Sequence, residues 1–314
     1  MTDKPAADSD FRQVVAALAL GQIVSWAALY YAFSSFVLPM MRELGWDKAT
    51  LMGAFTLGLA VWGAATYAAG AAIDRGQGRR VMTLGSVLAG AGFLLWSQVV
   101  SPAGLFLACA VLGAAMAMTL YEPAFNVLTK RYPTRYTQGI TTLTLVGGFA
   151  STLSFPAAAA LIQAFGWRGA LVFIGAVLLV GVAPLHAWAL RGPALASTAR
   201  GADEKADATL HEALRQRSFW LLTLCFMLYA FASAALWAHV MPAFAAKGLS
   251  EAQALAVLVW IGPAQVAGRF VYAWAGRGVS LRLLGLFVLL GMPASLALFA
   301  LSTQLWPLFG FALL

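Results

Sequence analysis

Position 269 carries an arginine inside an otherwise uncharged stretch, with Gln265 four residues before it and Tyr272 three after. That spacing puts all three side chains on one face of a helix. A guanidinium fork in an apolar setting matches both oxygens of a carboxylate, which a lysine point charge does not. Two roles are open to Arg269: it binds an anionic group, or it is a structural arginine tied to helix carbonyls or to an acid. The acid at hand is Glu122, which stands in a second uncharged stretch with Thr119 and Asn126 at i−3 and i+4. A carboxyl there can carry a proton, can hydrogen-bond a solute or pair with an arginine, or can serve locally beside Pro123. A third set pairs an amide with two aromatic rings: Gln22, Trp26 and Tyr30 recur every four residues along one helical face.

Enzyme chemistry has little to stand on. There is no HExxH, GxSxG or phosphate-binding loop and no pair of aspartates within the apolar stretches, while Cys109 and Cys225 form neither a CxxC pair nor a disulfide framework. No cofactor or metal is expected.

The elements that must hold these residues follow from composition. Of 314 residues, 61% are hydrophobic and only 10% are charged, against roughly 25% charged in soluble domains. The charges are grouped between uncharged stretches of about twenty residues, the length of a membrane-crossing helix. A water-soluble enzyme is excluded. The alternation of a membrane barrel is absent, so the spans are helices. Nine full spans are expected at 14–38, 49–72, 81–100, 103–128, 138–162, 169–190, 218–241, 252–275 and 283–302, with a tenth starting near Pro307.

Orientation follows from the basic residues. Of the twenty Lys and Arg, Arg269 is inside a span, four (Arg42, Lys48, Arg168, Lys247) fall on one side, and fifteen fall on the other. The positive-inside rule puts the fifteen, and the amino terminus, in the cytoplasm. The net charge of +8 therefore marks topology and calls for no nucleic-acid partner. Glu122 lies eight residues from Lys130, as Arg269 does from Arg277, so at about 1.5 Å per residue both sit roughly 12 Å from the cytoplasmic boundary. They are expected to meet.

The chain also repeats itself. Sliding it by 203 residues lays Pro39 on Pro242, Gly45 on Gly248, Ala49 on Ala252 and Arg79 on Arg282. The same offset maps Trp26 and Tyr30 onto Tyr229 and Ser233. Parallel halves give this pattern. A six-helix bundle over 1–190, a polar cytoplasmic linker over 191–217 and an incomplete second bundle over 218–314 are expected, the counterpart of residues 112–190 being missing.

Between spans two and three, Gly70, Asp74, Arg75, Gly78, Arg79 and Arg80 form a run that resembles the G-x-x-x-D-[RK]-x-G-x-[RK]-[RK] loop of the major facilitator superfamily, with Gly78 one place late. Charge-assisted hydrogen bonds in such a turn can lock helix bundles in one state and release them in another. Leu44-Gly45-Trp46, Tyr121-Glu122-Pro123, Gly166-Trp167-Arg168 and Arg269 are similar to the monocarboxylate-porter and oxalate/formate-exchanger branch. This chain departs from the porters in having Gln265 where they place an acid and no lysine in span one.

The resemblance implies an all-α integral membrane protein of the bacterial inner membrane with the major facilitator fold, acting as a monomer. It implies alternating access to a small solute such as an organic anion, coupled to a proton or a counter-substrate. Spans one and seven would line the cavity, which makes Trp26, Tyr30, Tyr229, Asn126, Gln265 and Arg269 the candidate substrate contacts and Glu122 the candidate proton carrier. Efflux of a drug-like amphipathic compound is the alternative, and a transport-like sensor or membrane enzyme lies outside that class.

Overall fold

A computed structural model describes residues 4–192, 210–275, 278–302 and 304–314. All regular structure among them is helical, and seven helical stretches are long and apolar enough to cross a bilayer. Two of these, Lys48–Ser97 and Tyr136–Ala189, have 50 and 54 residues, more than twice what one crossing needs. Each contains one glycine in left-handed backbone, Gly76 (φ 82) and Gly166 (φ 67), where the chain turns back. Nine crossings result, as the hydropathy pattern requires, and Leu305–Leu313 begins a tenth. The first helix starts earlier than expected, at Lys4, because Phe11, Val14 and Val15 are buried against the bundle rather than lying outside it. Most of the expected linker, residues 193–209, lies outside the described residues.

Five described spans are not continuous α-helix, span six among them with a π-turn at Val177–Val182, and each interruption in an apolar setting needs internal hydrogen bonds for the backbone groups it frees. Span one makes a π-turn at Ala27–Tyr31 before resuming as Phe33–Leu44. The Ala27 carbonyl there accepts from the Ala32 N–H at 3.0 Å and from Ser154 Oγ at 2.7 Å. Span four breaks at Leu120, between Pro102–Thr119 and Tyr121–Arg131, and Gln22 Nε2 donates to the carbonyls of Thr119 and Leu120 at 2.7 and 3.2 Å. Span five breaks between Tyr136–Gly147 and Ala150–Ala176, and span eight between Glu251–Leu258 and Ile261–Ala275. These last two breaks meet, since Thr152 Oγ1 donates to the Val259 carbonyl at 2.9 Å.

The repeat is present in the backbone. Gly45 (φ 68) and Gly248 (φ 76), 203 positions apart, are both left-handed. Asp47 caps span two by accepting from the Thr50 N–H, and Ser250, again 203 positions on, caps span eight by accepting from the Gln253 N–H. The far ends of spans three and nine match as well. Arg168 donates to the carbonyls of Ser97 and Val99 at 2.7 and 3.0 Å, and Lys247 donates to those of Ala300 and Ser302 at 3.3 and 2.8 Å. A cation at a helix carboxyl end satisfies its free carbonyls and complements its dipole.

Spans two and four pack backbone to backbone. A Cβ on Gly113 would lie 2.0 Å from the Gly58 carbonyl oxygen, and one on Gly58 would lie 2.8 Å from that of Cys109. Small residues permit this approach, which dispersion then stabilises where lipid supplies no hydrophobic drive.

The two halves touch chiefly toward one end. Contacts run from Ala27–Tyr31 and Phe33–Leu44 to span seven, and from Ala150–Ala176 to span eight. The Met241 N–H donates to Ser34 Oγ at 3.0 Å, and Tyr31 packs edge-on to Trp237 at 4.6 Å. This is the end where the four sparse cations lie. Toward the other, basic end, span seven is largely exposed, Leu221, Phe226 and Leu228 among its residues. The halves are closed at the sparse end and parted at the basic one.

Candidate functional site

Arg269 reaches from span eight toward span five. Its side chain leans back toward the amino end of its own helix, and Nη1 comes to the glycine pair at the span-five break. A Cβ on Gly148 would stand 2.6 Å from that nitrogen. Tyr121 takes the neighbouring place: a Cβ on Gly147 would clash with its hydroxyl oxygen. Two adjacent residues without side chains thus seat a cation from one half and a phenol from the other. Arg269 Nη1 is buried and has no hydrogen-bond partner among the described residues, a state that costs free energy unless a ligand completes it.

The surroundings of Arg269 are phenolic and amide. Tyr31 and Tyr121 both lie close enough to interact electrostatically with it, and Tyr31 is within hydrogen-bonding reach of Gln265. Gln265 also lines a cavity of 370 Å³ with Tyr229, Ser233 and Ser295. Tyr30 is within reach of Ser233. Trp26 is held by its indole N–H, which donates to Gln22 Oε1 at 3.1 Å. The structure therefore brings together Arg269, Gln265, Tyr30, Trp26 and Tyr229, the last at the margin. The side chain of Tyr272 lies outside the described residues.

Two candidates are placed elsewhere. Asn126 donates to Asp74 Oδ1 at 3.2 Å, so it belongs to the loop at the basic end and not to the surroundings of Arg269. Glu122 is exposed, and no hydrogen bond or ion pair joins it to Arg269. The expected meeting does not occur in this state. The reason is the break at Leu120, after which Tyr121, one residue earlier than the acid, turns toward Arg269.

The loop between spans two and three divides its work. Asp74 pairs with Lys130 at 2.9 Å, and Lys130 Nζ also donates to the Asp74 carbonyl at 3.3 Å. Arg79 Nε donates to the Ala187 carbonyl at 2.8 Å near the end of span six. Arg75 and Arg80 are exposed. The displaced glycine now has an explanation: Gly76 takes the left-handed turn, and Gly78 lets span three approach span four, where a Cβ would lie 2.6 Å from Val127 Cγ2. A Cβ on Gly70 would meet open space.

Lys130 and Asn126 hold the Asp74 carboxyl below the usual aspartate range. A depressed folded value means that the contribution is present above the unfolded value of about 3.9 and is lost as pH falls through the lower one. It is small, since the pair is well exposed. Asp74 thus supplies no pH dependence near neutrality. Asp74→Asn should slow solute movement while equilibrium affinity stays within a few fold, because the change shifts populations and not contacts; an unchanged rate in reconstituted vesicles would remove the gating role.

Sequence reasoning missed Tyr31, Tyr121 and Glu43. The first two had a signal, the paired tyrosines at 30 and 31 and a tyrosine beside an intramembrane acid. Glu43 accepts from Trp167 Nε1 at 2.6 Å and from Arg168 Nε at 3.1 Å, which joins the Leu44-Gly45-Trp46 and Gly166-Trp167-Arg168 motifs into one fixture. Nothing in the spacing announced that.

Helical halves with parallel repeats, a charged turn between spans two and three, and a site at their junction define a membrane transport fold. A family model, "Major Facilitator Superfamily", matches residues 18–314, and the chain belongs to that superfamily, one of transporters and not of enzymes. Monocarboxylate transporter 11 of Homo sapiens is 29% identical over 164 residues, 49% of this chain and 35% of that protein. Its Mus musculus counterpart is 29% identical over 190 residues, 57% of this chain and 40% of that protein. The matched stretches thus span less than half the length of these relatives. Among solved structures, a bacterial homolog of the human lysosomal transporter Spinster, inward-facing and occupied, is similar with a TM-score of 0.76 at 18% identity, over 99% of this chain and 72% of that one. The same homolog, inward-facing and unoccupied, gives 0.75 at 18%, with the same coverage. At that identity the likeness concerns the fold.

Proposed function

We propose that the protein is a secondary active transporter that moves a small organic anion, such as a monocarboxylate, by alternating access, with Arg269 as the anion-binding group. The observation that carries this is the buried Arg269 Nη1 without a partner, seated on Gly148 beside Tyr31 and Tyr121. A carboxylate would complete its hydrogen bonding, and the two phenols and Gln265 would orient it. The curated relatives, named as monocarboxylate transporters, support the same class of solute. With the basic end in the cytoplasm, the parted halves give an inward-open state, and the closed contacts around Ser34, Met241 and Trp237 form the outer seal.

Glu122 is the proton carrier in this reading. Its residue surface reaches the open end although protein packs around its carboxyl, so it would exchange protons with cytoplasmic water there, and closure of that end would withdraw it. The test is direct: Glu122→Gln should leave solute binding in place and abolish the pH dependence of transport, and full pH dependence in that variant would rule out the role. The reading as a whole is tested by thermal stabilisation of the purified protein with a panel of carboxylates, because a ligand that binds only the folded state raises its melting temperature. Stabilisation by hydrophobic cations and by no carboxylate would replace it with amphipathic efflux.

A further inference from the structure

The rings beside Arg269 carry information about the solute's body. Trp26 is at their centre, 4.8 Å from Tyr121 at 43° and 6.0 Å from Trp62 at 75°. Tyr30 lies 5.4 Å from Trp26 and 6.1 Å from Trp62, and Tyr31 lies 6.3 Å from Trp26. Spans one, two and four all contribute. The two rings that feel the guanidinium, Tyr31 and Tyr121, are the two that flank Trp26 on that side. A cation and an aromatic wall are therefore contiguous.

Two of the wall's polar atoms are already engaged. The Trp26 indole N–H is taken by Gln22, and the Tyr30 hydroxyl reaches Ser233 in the other half. Trp26 and Trp62 are only half-buried, so ring faces and ring edges are what they leave open to a solute. Such surfaces favour a planar π system through edge-to-face and offset contact, beyond what equal apolar area gives. A saturated body of the same size would gain area burial alone. A short aliphatic acid would satisfy Arg269 and leave the wall unused.

We infer that the transported anion carries a planar aromatic ring, its carboxylate on Arg269 and its ring against Trp26 and Trp62. The inference rests on the anion reading above and narrows it. The test compares phenylacetate, cyclohexylacetate, acetate and uncharged phenylacetamide by direct binding to the purified protein. Phenylacetate is expected to bind roughly two- to tenfold more tightly than cyclohexylacetate and more tightly still than acetate, and phenylacetamide is expected not to bind. Trp62→Leu should bring the ratio of phenylacetate to cyclohexylacetate affinity toward one, and Trp62→Phe should keep it, which separates loss of the ring from loss of the fold. Equal affinity for the ring and its saturated analogue, or a preference unchanged in both Trp62→Leu and Trp26→Leu, would overturn the aromatic inference. Binding of acetate without phenylacetate would overturn it too while leaving the anion reading standing. Phenylacetamide binding as well as phenylacetate, or no carboxylate binding at all, would remove both.

Discussion

Arg269→Lys is expected to weaken binding of a carboxylate solute by roughly tenfold or more, the scale of one lost charge-assisted hydrogen bond. The charge is retained, so electrostatic attraction alone would predict little change. What is lost is the planar fork and its reach: Nη1 extends from span eight to Gly148 of span five, and a lysine is shorter and offers a single strongly hydrated point. The measurement is the dissociation constant at fixed pH and salt, set beside the melting temperature without ligand. Normal affinity in Arg269→Lys would make Arg269 a structural residue, and a melting temperature that falls together with affinity would say the same.

Gly113→Ala is the substitution expected to damage the fold most. Its new methyl group would lie 2.0 Å from the Gly58 carbonyl oxygen, and the obstacle is backbone, which has no rotamer to retreat into. Spans two and four would have to separate, at a cost at or above the roughly 1–3 kcal/mol of ordinary overpacking. A fall of several degrees in the melting temperature in detergent is expected. Gly70→Ala, where a Cβ meets open space, is the control. Equal melting temperatures for the two variants would mean that spans two and four are not in backbone contact.

The spans were legible because burial in lipid writes itself as uninterrupted apolar length, and the nine crossings follow from it. The interior of the site was less so. Period-four spacing put Trp26 and Tyr30 on one face, yet the π-turn at Ala27–Tyr31 adds a residue to that turn and brings Tyr31 inward as well. Counting residues from the basic boundary put Glu122 and Arg269 at one depth, which says nothing about direction. The break at Leu120 then rotates Tyr121 into the place expected of the acid. Asn126 shared a face with Glu122 on paper, but it lies a turn closer to the basic end, where Asp74 engages it. Interruptions that depend on partners distant in sequence, such as Gln22 for span four and Thr152 for span eight, leave no local trace.

The capped ends of spans three and nine bear on how duplicated halves are compared. The accepting carbonyls, Ser97 and Val99 against Ala300 and Ser302, correspond position for position at the 203-residue offset, although the side chains there do not match. The donors do not correspond: Lys247 aligns with Leu44, whereas Arg168 belongs to the turn before span six. A column-by-column alignment of the two halves would score both cations as unrelated. What the two halves share is a place for positive charge at a helix terminus, and each half fills it from whichever neighbouring turn can reach. Ancestry in such a molecule is better traced through the backbone atoms that must be answered than through the residues that answer them.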